Sequence, residues 1–156
     1  MVKVETYIKD NDNFILVDEY DGQIKEPMYV EGAITLQVDE KFILSLDLWD
    51  DVNHLWGYIT GGFEELTKKN EWTTHFPDQP IRLTLRIDRE HNRIEVEATP
   101  SEGLIKATAP FDEFLTVMNK AGEKFFLRMM QIVPEDQDLY KSLLYRLRGA
   151  ILTLRQ

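Results

Sequence analysis

The sequence predicts an α+β protein: an antiparallel sheet of about six or seven strands with three helices packed on one face, in the chain order ββββ-α-βββ-αα. Three observations predict it. Apolar and polar residues alternate over 2–8, 28–38, 42–49 and 81–109, the period of strands with one face in the core. Val52, Leu55, Trp56, Ile59, Phe63 and Leu66 recur at three- and four-residue intervals, as do two stripes in the last third of the chain, the period of helices. The 156 residues, 43% of them hydrophobic, suffice for one core that buries about two thirds of the unfolded surface, so a single domain over 1–156 is expected.

In the first strand Val2, Val4, Thr6 and Ile8 face in, and Asp10-Asn11-Asp12-Asn13 reads as a turn. A calcium loop is the sharper reading of those four residues. The loop pattern would need an oxygen ligand where Phe14 stands and glycine where Ile15 stands. A second strand runs from Phe14 to Glu19 and meets the turn signal Asp21-Gly22. Residues 22–27 show no period. From Met28 to Val38 the even positions face in, pairing with a strand over 42–49 whose Phe42, Leu44, Leu46 and Leu48 face the same way. Keeping Leu36 beside Leu44 sets Val38 opposite Phe42 across an Asp39-Glu40-Lys41 loop, because a two-residue turn would split the apolar face.

The period changes after Trp49. Asp50 and Asp51 stand where an N-cap acceptor is wanted and where a carboxylate meets the positive end of the helix dipole. Gly57, Gly61 and Gly62 each cost about 1 kcal/mol in a helix, so close packing or a break near Gly61 is expected. Residues 70–80, with Pro77 and Pro80, read as irregular. Three strands follow, with Ile81, Leu83, Leu85 and Ile87, then Ile94, Val96 and Ala98, then Ile105, Ala107 and Ala109 inward. Pairing Ile87 with Ile94 matches Asp88 to Arg93, Arg86 to Glu95 and Thr84 to Glu97, and pairing Ala98 with Ile105 matches Glu97 to Lys106. That charged face reads as a solvated one. Phe111, Leu115, Met118, Phe125, Met129 and Val133 mark a helix through Gly122 that Pro134 ends, although 123–133 is apolar enough for a strand. Tyr140, Leu143, Leu144, Leu147, Ile151 and Leu154 mark the last helix, with Arg148 and Arg155 near its C-terminal end. Strands followed by helix describes both halves, without any repeat of residues.

Charge narrows the function. The net charge of −10 belongs to the first half, where residues 1–80 carry 17 acids and 6 bases, net −11. Phosphate-backbone binding needs a positive footprint, so no nucleic-acid partner is expected; a basic protein surface fits better. The chain has no cysteine, which excludes disulfides, thiolate metal sites and a cysteine nucleophile, and suits a cytoplasmic location. Neither a signal region nor a membrane-spanning run is present. His54 follows Asp50 and Asp51 by four and three positions, so the three can share a helix face as a general base or metal site would require. An exposed, capped helix terminus explains the same residues more simply. The chain carries no HExxH, GxGxxG, GxxxxGK[ST] or GxSxG, so no cofactor, metal or catalytic residue is predicted. Phe125, Phe126, Met129 and Met130 lie on a regular stripe and read as core rather than as a pliable groove.

The expected function is a noncatalytic protein-binding module that presents Asp47, Asp50, Asp51, His54, Glu64 and Glu65 to a basic partner. A small acidic chain without catalytic signatures is similar in type to many bacterial immunity and inhibitor proteins, an analogy that rests on no motif. Two other readings are a ligand pocket between the sheet and the closing helices, and a homodimeric structural protein.

Overall fold

A computed structural model describes residues 1–156. Its nine strands form two antiparallel sheets rather than the expected one. The first contains β1 (Val2–Asp10), β2 (Asn13–Leu16), β3 (Glu31–Val38) and β4 (Lys41–Leu44) in the order β2-β1-β3-β4, with the two-residue β5 (Asp50–Asp51) also on β3. α1 (Val52–Leu66) leads to the second sheet, β6 (Glu71–His75), β7 (Arg82–Asp88), β8 (Arg93–Thr99) and β9 (Ile105–Pro110), paired in sequence order. α2 (Phe111–Ile132) and α3 (Gln137–Leu154) close the chain. The observed order is therefore five strands, α1, four strands, α2 and α3.

The strand expected over 42–49 is broken, and β4 shows why. Leu36 does lie opposite Leu44, but Gln37 pairs with Phe42 and Val38 with Lys41, so Ile43 is an extra residue, a β-bulge. The bulge reconciles a two-residue turn at Asp39-Glu40 with an apolar interior. Both Ile43 and Leu44 point inward, while Phe42 is thrown out and is 50% exposed. Asp39 takes the left-handed φ of 54° that this tight turn demands. The chain then leaves the sheet through a 3₁₀ turn at Leu46–Leu48 and rejoins β3 as β5, placing Asp50 opposite Gly32 and Asp51 opposite Glu31. A side chain at Gly32 would strike the Tyr7 carbonyl and Val52, so glycine is required there. The strand expected from Met28 begins at Glu31, and Met28 is exposed. That expected over 14–19 stops at Leu16, where the chain turns.

The stretch expected to be irregular contains β6. Its Trp72 is buried against α1, and Thr73 and Thr84 hydrogen-bond across the pair at 2.9 Å. The alternation was short, and packing of one indole against a helix glycine decided the matter. The second sheet otherwise pairs as its charges predict, including Ile87 with Ile94, Arg86 with Glu95 and Glu97 with Lys106. Arg86 lies 2.8 Å from Glu95, 3.1 Å from Glu97 and 3.4 Å from Glu71 on the wet face.

Helix α1 is unbroken, and its whole apolar stripe is buried. Trp56 is the centre of the packing. Its indole N–H donates to the Thr6 hydroxyl at 3.1 Å, and its ring meets Phe125 and Phe126, both at 6.2 Å. α2 is also continuous, so 123–133 is helical, and Gly122 lets Leu147 and Trp56 approach where a Cβ would overlap both. Forty-three buried apolar residues from both sheets and all three helices form one contiguous cluster. The void that remains between the sheets and α2, lined by Leu36, Leu85 and Phe114 among others, is about 10 Å³, too small for a ligand. No helix is long and apolar enough to cross a membrane.

Candidate functional site: an acidic cleft at the start of α1

The first turn of α1 is tied to the segment before β3. The Val52 N–H donates to the Val30 carbonyl at 2.7 Å, and Asn53 accepts from the Val30 N–H and donates to the Met28 carbonyl, both at 3.1 Å. His54 Nε2 reaches the same Met28 carbonyl at 2.6 Å. A carbonyl only accepts, so the imidazole proton sits on Nε2. The first of these bonds satisfies one backbone donor of the helix terminus, and the Asn53 and His54 side chains hold residues 28–30 against the first turn. Asp51 occupies the N-cap position without making a capping bond, contrary to the expectation from sequence.

The Asp50 carboxylate has a different task. Asp50 is 2% exposed, and it accepts the N–H groups of Asp51 at 2.6 Å, Gln79 at 2.7 Å and Asp78 at 3.1 Å. It ties the 76–80 connection to the start of α1. Three charge-assisted bonds explain why a buried charge is tolerated here. Expected to face a partner, Asp50 is instead interior and fully engaged.

Beside this knot opens a cleft of about 430 Å³, walled by the end of β1, the 20–26 segment, Tyr29 to Glu31 and Asp51. Its charged residues are Asp10, Glu26, Glu31 and Asp51 against Lys9 and Lys25. Lys9 is committed, with its ammonium 4.5 Å above the Trp49 ring and 4.0 Å from Glu31. Partial burial, followed by the neighbouring Asp50 charge, holds the Asp51 carboxyl above the usual carboxylate range, and His54 offsets this in part. Met28 and Tyr29, 66% and 55% exposed, project beside the cleft, and the Tyr29 ring lies 5.7 Å from His54. The arrangement can receive a positive charge and stack against its apolar stem.

The six residues expected to share one surface are divided. Asp51 lines the cleft, His54 stands outside its lining against Tyr29 and Met28, and Asp50 is buried. Asp47 is exposed on the 3₁₀ turn. Glu64 and Glu65 lie about 20 Å along α1 from Asp51, where Glu64 is gripped by Arg146 at 2.6 Å and Glu65 stands 3.9 Å from Lys69. Sequence reasoning missed Asp10, Glu26, Glu31 and Tyr29, which come from three separate segments. For the three acids, a shared sign in an acidic half was the available signal. Neither His75, at the end of β6, nor His91, bonded to Asp88 at 2.8 Å, adds a ligand to His54, and no three of the His, Asp and Glu side chains converge as metal ligands would.

No family model matches the chain, and no curated protein or solved structure is significantly similar to it.

Proposed function

We propose that the protein is a noncatalytic binding module that receives a basic segment of another protein in the cleft beside α1. One observation carries the reading: four carboxylates face two lysines on its walls, and Asp51 among them is held above its ordinary pKa by burial and a like charge. An incoming lysine or arginine relieves that repulsion, and exposed Tyr29 and Met28 offer its stem an apolar rest. The excess of acid over base in residues 1–80 extends the attraction beyond the cleft and steers encounter.

Titration with a labelled Lys/Arg-rich peptide tests this at low and high salt. Binding is expected to weaken with salt and with either Glu26→Lys or Glu31→Lys, and to strengthen as pH rises through the Asp51 pKa. Affinity indifferent to salt, or unchanged by both reversals, refutes the reading.

A further inference from the structure

We propose that a second surface, the groove along the outer side of α2, binds an acidic segment of a partner protein. This groove, of about 580 Å³, runs from Thr116 to Gln131, with Asp18 on one wall and Arg155 from the end of α3 on the other. Fifteen helical residues rise about 22 Å, the reach of about seven extended residues.

The charge here is opposite to that of the chain. The groove is lined by Lys120, Lys124, Arg128 and Arg155 against Asp18 and Glu123. Lys124 pairs with Asp18 at 3.4 Å, and Glu123 is drawn to Arg148 at 3.0 Å, outside the groove. The other cations lack acids. Arg128 donates to the carbonyls of Val17 at 3.2 Å and Tyr20 at 2.6 Å and to the Gln131 amide oxygen at 3.0 Å, and Arg155 donates to the Thr116 hydroxyl. All four are neutral acceptors, so both guanidinium charges remain uncompensated. Lys120 is exposed and forms no ion pair.

A docked peptide supplies carboxylates for Lys120, Arg128 and Arg155. Leu127, 43% exposed in the same groove, offers an apolar side chain a contact. Nucleic acid fits poorly, because a long phosphate backbone would meet these few cations and then the surrounding acidic surface. A short carboxylate segment meets only the groove, since charges beyond about 8 Å are screened at physiological salt.

The test is fluorescence anisotropy with a labelled Glu-rich peptide carrying a central leucine, at physiological salt. Saturable binding is expected, about tenfold weaker for each of Lys120→Glu and Arg155→Glu, a factor equivalent to about 1.4 kcal/mol. It should be unchanged in Lys141→Glu, on exposed α3 surface outside the groove. All three positions are exposed, and circular dichroism verifies their folding. Absence of saturable binding, equal loss in all three variants, or full displacement by inorganic phosphate overturns the proposal. Glu26→Lys and Glu31→Lys should leave this peptide's binding intact, so failure here is distinct from failure at the acidic cleft.

Discussion

Adjacent glycines of α1 should respond to the same added methyl group with opposite signs. Gly61 has no atom within 4 Å of the position a Cβ would take, whereas at Gly62 that Cβ would lie 2.5 Å from Cδ2 and Cε2 of the buried Trp72 ring. Gly61→Ala therefore gains helix propensity of about 1 kcal/mol. Gly62→Ala gains the same but overlaps the indole, since carbon atoms rest about 3.5–4.0 Å apart. Relieving such overpacking costs about 1–3 kcal/mol, so this variant should lie about 1–3 kcal/mol below Gly61→Ala. For a chain of this size each kcal/mol moves Tm by about 2–4 °C. Thermal and urea melts followed by circular dichroism measure the difference, and Trp72 fluorescence should shift only in Gly62→Ala. If Gly62→Ala melts at or above Gly61→Ala, the helix does not hold β6 through that contact.

Other predictions follow from individual bonds. Asp50→Asn replaces an acceptor-only carboxylate facing three N–H groups with a group that is half donor. A loss of about 1–3 kcal/mol in urea unfolding is expected, the cost of leaving a buried N–H without its acceptor. The Tyr140 hydroxyl is pushed from 10.0 to about 12, first by burial and then by the Asp136 charge. The folded protein thus holds this proton more tightly than the unfolded chain, so stability is full below about pH 10 and is lost as pH rises through about 12. Near-ultraviolet titration of the phenolate measures it, and Tyr140→Phe should remove that fall. Arg146 holds the Glu64 carboxyl below its ordinary range through a bidentate hydrogen bond that fastens α3 to α1. Its stability is present above the ordinary carboxylate pKa and fades as pH drops below it, and Arg146→Ala should cost at most about 1 kcal/mol because both groups are half exposed.

Much of the fold was legible where period and charge agreed. The sheet built from β7, β8 and β9 has the register that matching Asp88 to Arg93 and Glu97 to Lys106 requires, and the stripes of all three helices are buried as their spacing implies. Both signals are local, because a strand's alternation and a helix's stripe are repeated at every turn of the chain.

Tertiary structure decided what depended on neighbours remote in sequence. The bulge at Ile43 becomes visible only with β3 beside it, and β6 only when Trp72 meets Gly62. Division into two sheets reflects the interruption of the predicted 42–49 strand and the placement of α1 against both. The binding surfaces follow the same rule. Sequence alone located the acidity in the first half, but folding buried Asp50, occupied Glu64 with Arg146, and gathered Asp10, Glu26, Glu31 and Asp51 around one cleft. Charge is a property of residues, whereas its availability depends on which backbone groups and opposite charges folding brings within hydrogen-bond reach.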